Sequence, residues 1–307
     1  MSPKIDVEHA QSETTAFLKQ LAALPPLVPG DIEGLRTRRR LLASRFDSGP
    51  AEVNTEDTTV GGVSVRRFVR HEPMIAGSLV YVHGGGWVAG DVDTHDGICR
   101  HLCALSGLTV ISVNYSRAPE EKHPRPVSQV VAVAREISKM GQYVIGGDSS
   151  GAHIAYETTL ELINTRNRPS GMLLIQPAVD PQMNTQSWSN LGEGYFLTRS
   201  AMRWFWDTYL GEARTTALTD RVTPTLPPSY LVVSELDPSR DEGLALASKM
   251  LDRGVAVQVA DLPALPHGCL TLTRAFLSAH PAMRDIADWL VARMAHQSPK
   301  TCPHERN

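Results

Sequence analysis

From about residue 75 the chain alternates short apolar runs with amphipathic segments, and this alternation restricts the fold more than any other feature. Residues 78–82, 108–113, 143–147, 172–176, 230–234 and 255–259 are predicted strands. Residues 96–106, 126–139, 150–164, 240–253 and 270–294 are predicted helices. Strands separated by helices pair through parallel crossovers. The expectation is therefore an α/β protein, with a mostly parallel twisted sheet flanked by helices on both faces. Residues 58–70, with Gly61-Gly62 in the middle, predict a hairpin feeding the sheet edge. At 307 residues and 42% apolar content, the chain can fill one large core of this kind.

Two segments fall outside the alternation. Residues 1–50 carry helical patterns broken by Pro25-Pro26 and Pro29-Gly30. Residues 181–220 are rich in aromatics: Trp188, Tyr195, Phe196, Trp204, Phe205, Trp206 and Tyr209. Aromatics at helical spacing pack cores, and they also build lids over pockets. An insertion after a central strand favours the lid, because open α/β sheets bind ligands in the crevice there. Residues 297–307 are polar with two prolines and are expected to be a disordered tail.

Composition excludes several classes of function. A net charge of −3 supplies neither a basic field for nucleic acid nor an acidic tail. The N-terminus lacks the basic start and apolar run of a secretory signal, and no apolar run reaches membrane-spanning length. Four cysteines do not make a disulfide framework in a chain this long. Cys99 and Cys103 sit four apart without a second ligand pair, so they are expected to be buried thiols rather than half a metal site. The expected compartment is the cytoplasm, and no metal or organic cofactor is called for.

The chemistry concentrates in three places. Gly147-Asp148-Ser149-Ser150-Gly151 follows a predicted strand and opens a predicted helix, the context in which a serine is thrust out at a tight strand-to-helix turn. Ser149 is then a nucleophile, and the helix start behind it offers unpaired N–H groups. His83-Gly84-Gly85-Gly86-Trp87 follows another strand. Its glycines allow close backbone approach, so the N–H groups of Gly85, Gly86 and Ser150 are the expected oxyanion donors. The loop lacks the Lys-Ser/Thr of a phosphate-binding loop, and His83 is expected to order it rather than act as a base.

A serine nucleophile needs a base and an orienting carboxylate. His267, after the last strand, and Asp237, after the strand at 230–234, both lie at carboxyl ends of strands, on the same sheet edge as Ser149. The order Ser149, Asp237, His267 suits the α/β-hydrolase fold. Alone, Asp237 could be a helix N-cap and His267 a core histidine. Glu235 should point away from the site, Asp241 and Glu242 read as first-turn acids facing the helix dipole, and His95 and His101 fall in the first crossover helix.

Together these residues resemble the hormone-sensitive-lipase family (family IV) of esterases. The 83–87 run is similar to its HGGGW motif, the 147–151 run to its GDSAG motif, and Asp237 to Gly243 to its D-P-L-x-D-E-G. Asn114 to Glu120 resembles its Y-R-L-A-P-E stretch. The resemblance implies Ser149, Asp237 and His267 as the triad and Gly85, Gly86 and Ser150 as the oxyanion hole. It also implies a catalytic domain over residues 51–296, with a helical cap drawn from residues 1–50 and the insertion at 181–220. The implied substrate is a small ester with a short acyl group; homodimers are common in the family. Removal of an acetyl group from an amide, acyl transfer, and a ligand-binding receptor on a hydrolase scaffold are the rivals. Receptors of that kind have lost the histidine that His267 supplies here. The chain departs from the pattern at Ser150 for Ala, at Ser116-Arg117, at Ser239 for Leu, and at Cys269 for Phe. The last is expected to enlarge the acyl side of the pocket.

Overall fold

The computed structural model describes residues 3–24, 30–71, 75–213 and 215–295. The expected tail at 297–307 and the breaks at Pro25-Pro26 and Pro29 lie outside the described residues. Among these residues one sheet carries eight strands: β1 (Val53–Val60), β2 (Val63–Arg70), β3 (Ser78–Val82), β4 (Thr109–Val113), β5 (Tyr143–Asp148), β6 (Gly171–Ile175), β7 (Ser229–Leu236) and β8 (Val257–Pro266). Their order is β1-β2-β4-β3-β5-β6-β7-β8. The β1–β2 and β2–β4 pairs are antiparallel, and every later pair is parallel.

The central strands read as unbroken apolar runs because both faces are covered. Val80, Val82, Ile145, Leu174 and Leu231 face one layer, packed by helices α4 (Arg125–Met140), α5 (Ser150–Leu162), α7 (Arg199–Leu210) and α8 (Arg240–Asp252). Leu79, Tyr81, Val144, Leu173 and Val232 alternate to the other face, under α1 (Val7–Ala22), α2 (Ile32–Phe46), α3 (Asp96–Ser106) and α9 (His280–Ala295). A short helix, α6 (Gln186–Leu191), precedes α7 in the segment after β6. No described helix is long and apolar enough to cross a membrane.

Three boundaries differ by several residues from the sequence reading, each for a physical reason. The last strand runs to Pro266 rather than ending at 259. It is an edge strand, where Pro263 and Pro266 cost few ladder hydrogen bonds. The last helix starts at His280, not at 270. Residues 268–279 form turns, with the Thr271 hydroxyl donating to the Gly268 carbonyl at 2.9 Å, and Pro281 occupies the first helical turn, where a missing N–H is harmless. The hairpin begins at Val53 rather than 58, because the β1 edge strand is almost wholly exposed and has no apolar alternation to reveal it.

Candidate active site

Ser149 sits between β5 and α5 with φ 53° and ψ −119°, a conformation that costs a non-glycine residue about 1–3 kcal/mol. Surrounding bonds hold it there: its N–H donates to the Ile175 carbonyl at 2.8 Å, and its carbonyl accepts from His153 and Ala178 N–H at 3.2 Å each. The helix can start so close to β3 only because two neighbours lack side chains. A Cβ on Gly147 would lie 2.2 Å from the Val82 carbonyl oxygen, and one on Gly151 would lie 2.0 Å from the same atom.

The structure brings Asp237 and His267 to this serine. His267 Nδ1 lies 2.8 Å from Asp237 Oδ2, and Nε2 lies 3.0 Å from Ser149 Oγ. A carboxylate only accepts, so the imidazole carries its proton on Nδ1 and turns the Nε2 lone pair to the serine hydroxyl. All three side chains are buried, Asp237 completely. Asp237 also caps the chain leading into α8: its Oδ1 accepts from the Ser239 N–H and hydroxyl, each at 2.8 Å. The cap and the histidine partner are thus one residue using two oxygens, and Ser239, where the family pattern has Leu, supplies one of the bonds. Gln176, just past β6, fixes the histidine loop from below. It accepts from Gly268 N–H at 2.7 Å and donates to the Pro266 carbonyl at 3.1 Å and to Ser234 Oγ at 2.7 Å.

Opposite the histidine lies the glycine loop. Gly85 and Gly86 adopt positive φ of 106° and 62° and line one pocket with Ser149 and His267. Ser150 is the first residue of α5, so its N–H has no intrahelical acceptor. The Ser150 hydroxyl does not enter the pocket but accepts from Trp87 N–H at 3.0 Å, tying the serine turn to the glycine loop. Asp148 makes a second tie. Its buried carboxylate accepts from Tyr81 Oη at 2.7 Å and from Gly84 N–H at 3.0 Å, and lies 3.3 Å from His95 Nε2. Burial pushes this carboxyl up, but His95, Tyr81 and Arg39 outweigh it and hold it well below the ordinary carboxylate range. His83 stacks on Tyr115 and places Nδ1 3.0 Å from the Gly84 carbonyl oxygen. Burial and the neighbouring His95 lower its pKa to about 3, so it stays neutral and supports the loop.

The 181–220 segment serves both readings of its aromatics. Phe196 and Phe205 wall the pocket beside Leu35, Leu42 and Met202. Trp206 and Tyr209, on the other side of α7, are core residues packed on Trp87 at centroid distances of 4.3 and 4.6 Å. Trp87 thereby clamps the glycine loop to α7. Arg36 of α2 clamps it from the N-terminal side, donating to the Val88 carbonyl at 3.0 Å and, through two nitrogens at 2.7 Å, to Glu120.

Several expectations are corrected. Cys269 is fully buried with its Sγ 3.6 Å from Ser234 Oγ, outside the pocket wall, so it does not enlarge the acyl side. His95 precedes α3 in a 3-10 turn and contacts Asp148 rather than riding on the helix. Asp241 and Glu242 do not merely face the dipole of α8. Asp241 accepts from Ser187 N–H at 2.8 Å, and buried Glu242 accepts from the Trp188 indole and Asp180 N–H, so both hold the segment around α6. Glu235 points away as expected, accepting from Ala264 N–H at 2.7 Å. Tyr81 and Gln176 were not singled out from sequence, and Asp148 and His95 were named there without the roles they take here. The only available signal was a polar residue at the end of an apolar strand, at 148 and at 176.

A family model described as alpha/beta hydrolase fold matches residues 79–271. A carboxylic ester hydrolase of Mycobacterium tuberculosis, LipN, is 30% identical over 271 residues, 80% of this chain and 72% of that one. An acetyl esterase of Salmonella typhi is 28% identical over 311 residues, 92% of this chain and 94% of that one. Among solved structures, an ester-hydrolase from the metagenome of Lake Arreo superposes with a TM-score of 0.80 at 28% identity, covering 91% of this chain and 98% of that chain. The chain belongs to the alpha/beta hydrolase fold family.

Proposed function

We propose that the protein is a carboxylesterase that cleaves small esters with short acyl groups through a covalent acyl-enzyme. The observation that carries this reading is the continuous line from Asp237 through His267 to the Ser149 hydroxyl, 2.8 and 3.0 Å in its two steps, facing a pocket edged by Gly85 and Gly86. The ester-cleaving relatives support the reaction class.

In this mechanism the Ser149 oxygen attacks the ester carbonyl carbon while its proton passes to His267 Nε2. Asp237 keeps the imidazole in the required tautomer and stabilises the imidazolium that forms. Negative charge develops on the former carbonyl oxygen, and the N–H groups of Gly85, Gly86 and Ser150 are the donors assigned to it. Such preorganised donors act in a site from which water is largely excluded, where each is worth about 10²–10³ in kcat. Collapse of the intermediate breaks the bond to the alcohol oxygen, which leaves with the proton from His267. Water then enters and gives a proton to His267 as its oxygen attacks the acyl carbon; the bond to Ser149 breaks, and His267 returns that proton to the Ser149 oxygen.

The apolar wall of Leu42, Phe196, Met202 and Phe205 favours a short, apolar acyl group or alcohol. The buried cysteines Cys99, Cys103 and Cys269 are all free thiols, which fits a reducing cytoplasm. The test is turnover of p-nitrophenyl acetate and butyrate by the protein and by Ser149→Ala. Turnover should be lost in the variant while its circular dichroism is unchanged, and wild-type turnover in Ser149→Ala would sink the assignment.

A further inference from the structure

Helix α2 carries arginines at 36, 38, 39 and 40, and they are not equivalent. Arg36 is bound to Glu120, and Arg40 reaches Asp91 at 2.9 Å. Arg39 instead turns into the pocket that holds Ser149 and His267, its guanidinium carbon 5.4 Å from the Phe196 ring centroid. No hydrogen bond or ion pair from the Arg39 guanidinium is formed among the described residues. The one carboxylate in the pocket wall, Asp148, is already engaged by Tyr81, Gly84 and His95. Arg38 lines the same wall and adds to the positive field.

Arg39 is half-buried in the pocket wall, and this partial loss of water lowers the pKa of its guanidinium from the ordinary value. A guanidinium remains charged in such a place, and an acceptor in the pocket would replace the water that it has lost. Most of the remaining wall is apolar. An anion entering the pocket would therefore recover both the Coulombic attraction and the missing hydrogen bonds. A planar carboxylate suits the guanidinium fork, which binds it through two parallel N–H···O bonds.

Resting on the esterase reading above, we propose that Arg39 anchors a free carboxylate on the substrate, so that the preferred substrates are esters carrying such a group on the acyl or the alcohol side. An apolar pocket gains little from a neutral group at that point. A site built around an unpaired cation discriminates strongly between an anion and its neutral isostere. Arg39 is a specificity residue here and takes no part in the proton transfers at Ser149.

The experiment uses two pairs of esters in which a carboxylate is replaced by a carboxamide of equal size. 4-Acetoxybenzoate against 4-acetoxybenzamide probes the alcohol side, and monoethyl succinate against ethyl succinamate probes the acyl side. The wild type should favour the carboxylate in at least one pair. In Arg39→Met the ratio of kcat/KM, carboxylate over carboxamide, should fall about 30-fold, the order of one charge-assisted bidentate contact, with partial recovery in Arg39→Lys. If Arg39→Met does not fold, inhibition of the wild type decides: 4-hydroxybenzoate or succinate should inhibit p-nitrophenyl acetate hydrolysis more strongly than the matching carboxamide. A ratio that is the same in wild type and variant for both pairs, or equal inhibition by acid and amide, overturns the role of Arg39. Absence of p-nitrophenyl acetate hydrolysis by the wild type would instead overturn the esterase reading itself.

Discussion

Replacing Asp148 by Asn separates positioning from chemistry at this site. Asp148 touches no reacting atom, yet it accepts from Gly84, the residue that leads into Gly85 and Gly86, and from Tyr81. An amide keeps the shape and one acceptor oxygen but loses the charge. Hydrogen bonds to a charged acceptor contribute about 1.5–3 kcal/mol, against about 0.5–1.5 for neutral ones. Two such bonds weaken by about 1 kcal/mol each, and the carboxylate opposite His95 is lost as well, so Asp148→Asn should cost about 2–3 kcal/mol by urea denaturation. A total stability of about 5–15 kcal/mol leaves the variant folded. Asp148→Ala, which leaves the three partners with nothing to bond, should approach unfolding. The freed glycine loop should lower kcat for p-nitrophenyl acetate about 10- to 100-fold, less than the outright loss of an oxyanion donor. KM should change far less, because the loop acts on the transition state. The folded-state pKa of Asp148 is depressed, so its contribution is present above the ordinary carboxylate pKa and fades as pH falls. The variant should therefore lose less stability on acidification than the wild type. An Asp148→Asn protein with wild-type kcat, or with the same acid limb as wild type, would refute the positioning role.

Two other outcomes follow from single contacts. Ser150→Ala removes the acceptor of the buried Trp87 N–H and should destabilise by about 1–2 kcal/mol in urea, with a loss of kcat smaller than that of Asp148→Asn; unchanged stability would mean that the hydroxyl is idle. Burial raises Glu242 from 4.5 to about 8, so the folded state keeps a proton that the unfolded state has lost across that window. This group therefore makes stability fall as pH rises from 4.5 to about 8, by up to about 1.4 kcal/mol per unit. Denaturation from pH 5 to 9 should show that slope in the wild type and a flatter one in Glu242→Gln; equal slopes would count against it.

What the sequence made legible was what is local. The strands at 78–82 and 143–147 are short, mostly apolar and bounded by glycine or polar residues, so their pattern survives without knowledge of partners. The serine turn and the glycine loop are legible for a related reason, since close backbone approach admits few residue types, and the Val82 carbonyl excludes a Cβ at both 147 and 151. The order of Ser149, Asp237 and His267 along strand ends was legible as well, and the structure sets them within hydrogen-bonding distance.

What stayed hidden depends on long-range pairing. Nothing in Asp148, Tyr81 and His95 as separate letters says that they meet, because they approach only when β3 lies beside β5 and the 3-10 turn folds over them. The split of the 181–220 aromatics into core and pocket wall is set by which face α7 presents to Trp87, a tertiary fact. Pro263 and Pro266 disguised the length of β8, since their tolerance depends on its being an edge strand. Arg39 was one arginine in a cluster until its neighbours proved to be paired.

The central claim is that Ser149 is the nucleophile, and the most direct measurement is the mass of the protein after reaction with a fluorophosphonate. The wild type should gain one phosphonyl group, located by peptide mapping to the peptide that contains Ser149, and esterase activity should fall in step with labelling. Ser149→Ala should remain unlabelled. A phosphonyl group carried by another residue, or labelling that persists in Ser149→Ala, would contradict the account.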